Sequence, residues 1–160
     1  MTGPRPSTRA AWSVLVALAI GPVLALPSPA RAQGAPGRQV VLFGVLATPG
    51  GTAMDAKISP VVAAQLRRTL PGHSFKLIQI KSDRVLPGQS VELDLGDGFV
   101  ATAQLLNPLD PNGKVQMRFD LSLMGLPQFQ SIVATPPDQF NFFDKMLPSN
   151  AHLLIGVGAR

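Results

Sequence analysis

The strongest constraint on the fold is a run of strict alternation between apolar and polar residues. Successive side chains of a β-strand point to opposite faces, so such alternation predicts a strand with one dry face and one wet face. Strands of this kind are typical of antiparallel sheets that cover a core on one side only. The run spans residues 114–123, and its apolar positions are Val115, Met117, Phe119, Leu121 and Leu123.

Other apolar runs extend this pattern into a mainly antiparallel sheet. Residues 40–47 are continuously apolar, which favours a central strand covered on both faces. Residues 91–95 alternate and lead into a Gly-Asp-Gly turn, so residues 99–106 are expected to return beside them as a hairpin partner. Further strands are predicted over residues 75–81, 128–135, 140–146 and 152–159.

One helix is predicted near residue 60. Ser59 is a good N-cap, and Pro60 suits the first helical position, where its missing N–H costs nothing. Apolar residues then recur at four-residue spacing until Pro71 and Gly72 end the helix. The fold class is therefore α+β, with one helix packed on the dry face of a mainly antiparallel β-meander, and a β-sandwich of two sheets is the alternative. The apolar stripe consists of Val62, Leu66 and Leu70.

The first 32 residues predict an export signal. A short basic start, with Arg5 and Arg9, precedes an apolar run over residues 10–26. Residues 30–32 (Ala-Arg-Ala) have the small-x-small form that signal peptidase cleaves. The apolar run is short for a membrane-spanning helix, although an uncleaved anchor is the rival interpretation. We therefore expect a secreted or periplasmic protein without a transmembrane span after signal removal.

Removal of this segment changes the charge balance. The chain has 14 basic and 9 acidic residues, and three arginines but no acidic residue lie in the first 32, which leaves a net charge of +2. So small a charge argues against an electrostatic surface for nucleic acid. The chain has no cysteine and therefore no disulfide. Residues 33–39 are predicted to be a flexible leader, and residues 40–160 a single α+β domain.

The sequence contains no strong motif for catalysis, a cofactor or a metal. Two acidic, glycine-containing stretches, residues 94–98 and 109–113, are interpreted as β-turns because they lack the context of a phosphate cradle or a calcium loop. His73 and His152 are the only imidazoles, and neither an HExxH nor a GxSxG pattern occurs. We therefore predict no catalytic residue, no cofactor and no metal ligand.

The candidate partner surface is a phenylalanine cluster near the end of the chain. In a strand, Phe140 and Phe142 share one face while Phe143 takes the other, so the three rings cannot all enter one core. An exposed ring at a strand edge can bind a partner, and the alternative is that both faces are covered. The sequence thus predicts an exported, non-catalytic domain that binds a protein or a cell-envelope component through a sheet edge or face.

Two other functions are kept as alternatives. The first is a carrier of a small apolar ligand, which requires an apolar cavity between helix and sheet. The second is a hydrolase, which requires His73 or His152 in a cleft beside a serine or a carboxylate.

Two stretches resemble a family of small exported bacterial proteins without an assigned activity. They are residues 66–77 (LRRTLPGHSFKL) and the ending over residues 153–160 (LLIGVGAR). In both, a helix or turn leads into an apolar strand, and the resemblance implies no catalytic residue. Residues 135–158 are also similar to the closing strands of secretin-type envelope proteins, which implies a partner associated with the envelope.

The export signal can be tested by absorbance. Trp12 is the only tryptophan and the chain has no tyrosine, so the exported product should show only the weak near-ultraviolet bands of phenylalanine. Purified exported protein should therefore lack indole absorbance, while unprocessed chain from the cytoplasm should show it. Strong indole absorbance in the exported material would mean that the segment stays attached.

Overall fold

The computed structural model describes residues 36–160; the predicted export signal and the first residues of the leader lie outside this range. The described part contains eight strands and one helix. They form two four-stranded antiparallel sheets, with strand orders β2-β1-β8-β7 and β3-β4-β5-β6. The elements are β1 (Arg38–Pro49), α1 (Pro60–Thr69), β2 (His73–Val85), β3 (Ser90–Gly96), β4 (Phe99–Asn107), β5 (Val115–Leu123), β6 (Leu126–Thr135), β7 (Phe140–Met146) and β8 (His152–Ala159).

The first sheet is built around β1 and β8, which pair with each other and are buried on both faces. Continuous apolar sequence suits such strands, and the prediction that residues 40–47 form a central strand is confirmed. Glycines in β8 make room for aromatic rings. A side chain at Gly156 would collide with the ring of Phe43, and one at Gly158 would collide with Phe140.

The second sheet is a meander in which each strand pairs with the next. The predicted hairpin is confirmed, since Val91 lies opposite Ala103 and Leu93 opposite Ala101. Asp97 occupies the turn with a φ of 53°, between two glycines that also have positive φ; aspartate tolerates this conformation better than most residues. The apolar residues of β5 that alternate in the sequence point inward and are mostly buried.

Two apolar clusters hold these elements together. The inner cluster contains residues from both sheets, among them Leu42, Phe119 and Ile155. The outer cluster joins the opposite face of the first sheet to α1 through Val62 and Leu66. The helix therefore covers the first sheet, whereas we expected it on the dry face of the meander. The reason is that β1 and β8 have two apolar faces and need cover on both, while β3 to β5 have one.

Several strands are longer than the sequence predicted, β2 and β6 among them. β2 extends from His73 to Val85, beyond the predicted residues 75–81, and β6 begins at Leu126 and so includes Pro127. Proline cannot donate a hydrogen bond to a neighbouring strand, so it is confined to edge strands, bulges or strand starts. Its presence in β6 agrees with the position of that strand at the edge of the second sheet.

Asp55 attaches the segment before α1 to β2. Its backbone N–H donates to the carbonyl of Phe75 at 2.9 Å. Its carboxylate accepts hydrogen bonds from the backbone N–H groups of Lys57 at 3.0 Å and Leu77 at 3.2 Å. The pKa of Asp55 lies below its ordinary value, and the hydrogen bond from Lys57 is the largest cause. Desolvation opposes this bond, while the Leu77 bond and the nearby Lys57 and Lys76 charges add to it.

We expect Asp55→Asn to lower the free energy of unfolding at neutral pH, because the amide oxygen is a weaker acceptor than the carboxylate. A pKa lowered by folding contributes stability above the unfolded value, here 3.8, and that stability is lost as the pH falls through the folded pKa. The difference in free energy of unfolding between the wild type and Asp55→Asn should therefore become smaller as the pH falls. Urea unfolding at several pH values measures this difference.

Asp97→Asn is the matched control, because Asp97 lies in an exposed turn where asparagine is equally tolerated. It should unfold like the wild type throughout. A stability gap for Asp55→Asn that stays constant from neutral to acidic pH would contradict the role given to its charge.

Candidate functional site

The edge strands of the two sheets differ in how they are protected. An edge strand presents unpaired N–H and C=O groups, and proteins usually guard it with charged side chains. Three of the edges carry such charges, but β6 has none in its ten residues. The charged residues are Lys76, Lys81, Asp83 and Arg84 in β2, Glu92 and Asp94 in β3, and Asp144 and Lys145 in β7.

β6 also exposes apolar side chains. Leu126, Phe129 and Ile132 are all exposed, and so is Met124 in the turn that precedes the strand. Ile132 lies on the outer face, opposite Arg118, whereas Phe129 lies opposite the buried Leu121. A group of exposed apolar residues on one edge is typical of an interaction surface.

A groove of about 340 Å³ separates β6 from β7. Its apolar wall includes Phe129, Phe143 and Ile155, and Asp144 and Lys145 add polar groups. Within residues 36–160, no backbone hydrogen bond joins β6 to β7. The two sheets are therefore not hydrogen-bonded to each other at this point. The groove lies between the edges of β6 and β7, and both edges have free backbone groups.

The phenylalanine cluster of β7 divides between the two faces as its spacing predicts. Phe143 points inward and stacks on Phe119, with ring centroids 4.2 Å apart and an interplanar angle of 4°. Phe140 and Phe142 lie on the other face and meet the edge of Phe43 at centroid distances of 5.2 and 5.8 Å. All three rings are half-buried. They support the core, and Phe142 and Phe143 also line the groove.

The partner surface predicted from the sequence does not include β6, although the sequence carries a signal for it. The strand combines ten uncharged residues with apolar side chains at both odd and even positions. That pattern alone is equally compatible with a buried central strand. Only the sheet order shows that β6 has a neighbour on one side and none on the other.

A second groove, of about 310 Å³, lies between the start of α1 and the outer face of the first sheet. Val41, Phe43 and Val62 contribute apolar groups, and Lys57 and Arg160 lie among the polar ones. A depression of this kind is the feature that a carrier of a small apolar ligand requires.

The two histidines, 79 residues apart in the sequence, are brought together. Their ring centroids are 5.5 Å apart, and His152 Nδ1 lies 2.9 Å from both carboxylate oxygens of Asp144. In the described part of the chain, no serine hydroxyl is hydrogen-bonded to either imidazole.

Comparison with known proteins gives no match: no protein-family model, no curated protein and no solved structure is significantly similar to this chain. Among residues 36–160, no helix has the length and apolar character needed to cross a membrane.

Proposed function

We propose that this protein is an exported, non-catalytic binding module that pairs with an extended strand of a partner protein or envelope component along β6. The observation that carries the proposal is the absence of charge on β6, a ten-residue edge strand with exposed Leu126, Phe129 and Ile132. Every other edge strand in the described part carries at least two charged residues. An edge left without protection is a template for another strand.

Strand addition explains the roles of the surrounding groups. The free backbone groups of β6 would supply affinity through main-chain hydrogen bonds, and pockets for alternate side chains would supply specificity. The groove beside Phe129 and Phe143 suits an inward apolar side chain of the added strand. Ile132 lies on the outer face and would contact the following side chain of the added strand, which points outward.

We also propose that the two sheets form a two-layer β-sandwich with α1 on the outside of one layer. The inner cluster, to which both sheets contribute, supports this arrangement. A sandwich would hold β6 rigidly, and a rigid edge loses little conformational entropy when it binds.

The test compares two substitutions in the full chain. Ile132→Lys places a charge on β6, and Ile80→Lys places one on β2, the opposite edge of the other sheet. The two isoleucines are matched in exposure, at 62% and 56%, so both variants should fold. Affinity capture from envelope extracts should recover a partner with wild type and Ile80→Lys, and Ile132→Lys should weaken binding on the order of tenfold or more.

Amide hydrogen exchange then locates the contact. A strand added along β6 should slow exchange at Leu126–Thr135 in the complex and leave His73–Val85 unchanged. Equal capture by the two lysine variants, or protection confined to another strand, would rule out β6 as the binding edge. Truncation of Phe143 is a poor test because its ring stacks on Phe119 in the core.

A second candidate function is transport of a small apolar ligand in the groove between α1 and the first sheet. The groove itself favours it, since Val41, Phe43 and Val62 line a space of about 310 Å³. Ile80 also lines this space. The two lysine variants therefore distinguish the two functions: Ile132→Lys should impair only strand pairing along β6, and Ile80→Lys should impair only ligand binding in the groove.

For the carrier, titration with an environment-sensitive fluorescent fatty acid should show saturable binding to the wild type. Ile80→Lys should weaken it roughly tenfold, because a charge beside the apolar chain is costly to desolvate, while Ile132→Lys should bind normally. Failure of the wild type to bind the probe, or equal binding by both variants, would remove this groove from consideration.

A further inference from the structure

The only two histidines of the chain lie side by side on the outer face of the first sheet. His73 begins β2 and His152 begins β8, the two strands that flank β1. Their ring centroids are 5.5 Å apart, and the rings are nearly perpendicular, at 85°. Both side chains are half-buried, so solutes can still reach them.

Hydrogen bonds determine which ring nitrogens stay available. His73 Nδ1 lies 3.0 Å from the carbonyl oxygen of Pro71, and His152 Nδ1 lies 2.9 Å from the Asp144 carboxylate. A carbonyl and a carboxylate can only accept, so Nδ1 donates in both rings. In each neutral imidazole, Nε2 therefore keeps its lone pair. Histidines that bind metals are usually held by a carbonyl or carboxylate on the other nitrogen in this way.

The spacing of the rings suits one shared ion. Imidazoles that bind a metal at about 2.0–2.1 Å and near-tetrahedral angles have ring centres roughly 5 Å apart. The observed 5.5 Å is close to that separation. The nearly perpendicular rings would have to turn so that both Nε2 atoms face one ion.

A thioether is placed next to this pair by the strand register. Met146 of β7 lies directly opposite His152 of β8, and residues in such positions share a face, with Cβ atoms about 4.5–5.5 Å apart. Met146 is 63% exposed, so its side chain is not needed for the core. A flexible thioether thus lies beside His152 on the outer face of the first sheet.

We propose that His73, His152 and Met146 form a binding site for Cu(I). Imidazole and thioether are ligands that copper accepts, and thioether sulfur is a soft ligand that favours Cu(I) over harder ions. Zn²⁺ usually takes four ligands from His, Cys, Asp and Glu, and the described residues contain no group of three such side chains placed for a metal. Cu(I) tolerates fewer ligands. Asp144 acts as a positioning residue that orients His152.

The three proposed ligands lie away from the proposed binding edge, although Asp144 also lines the groove beside β6. They lie on the outer face of the first sheet, whereas β6 belongs to the second sheet. The two proposals can therefore fail independently. Ile132→Lys should leave copper binding unchanged.

The test is a competition titration of the full chain with Cu(I) under anaerobic, reducing conditions, with bathocuproine disulfonate as the chromophoric competitor. We expect a single Cu(I) per chain. His73→Gln and His152→Gln should each weaken binding about tenfold or more, and Asp144→Asn should weaken it by about 10- to 100-fold through its effect on His152. Circular dichroism should show that the variants retain the β fold.

Met146→Leu isolates the contribution of the thioether, since leucine keeps a similar volume. Met124→Leu is its matched control, because Met124 is also exposed, at 80%, and lies in a turn of the second sheet. Only Met146→Leu should weaken Cu(I) binding. X-ray absorption of the copper-loaded wild type should show both nitrogen and sulfur ligands, which tests the site without any substitution.

Four results would overturn the proposal. They are the absence of Cu(I) binding by the wild type, unchanged affinity in both histidine variants, a copper spectrum without sulfur, and tighter binding of Zn²⁺ than of Cu(I).

Discussion

The pairing of β1 with β8 is the interaction on which the rest of the structure depends. Both strands are buried on both faces, so one face packs against the second sheet and the other lies under α1. The neighbours of this pair, β2 and β7, are attached to the sheet only through it. Gly156 matters for the same reason, because any side chain there would displace the ring of Phe43.

The two sheets have four edge strands, and these strands differ in charge. Charges on β2, β3 and β7 discourage pairing with other chains, whereas β6 has only uncharged residues and several exposed apolar ones. An unguarded edge is a hazard for aggregation unless a partner covers it. The difference between the edges is therefore the physical basis for the proposed binding function.

The proposed copper site depends on register rather than on a sequence motif. His73 and His152 meet because both flank β1, and Met146 joins them because it lies opposite His152. A shift of one residue in either ladder would send a ligand to the other face. The uncharged edge, by contrast, depends on the composition of β6 and its place in the sheet, and the register decides only which of its side chains face the groove. A shift in strand register would therefore dismantle the copper site but leave the uncharged edge of β6 in place.

Local patterns in the sequence determined the elements and the faces of their side chains. Alternation predicted β5, the Gly-Asp-Gly turn predicted the hairpin of β3 and β4, and Ser59 with Pro60 predicted the start of α1. The lateral order of the strands was decided only by the tertiary structure, as were the position of α1 over the first sheet, the edge position of β6 and the meeting of the two histidines. Periodicity specifies which face of a strand is dry, but the choice of neighbouring strand depends on packing between residues far apart in the chain.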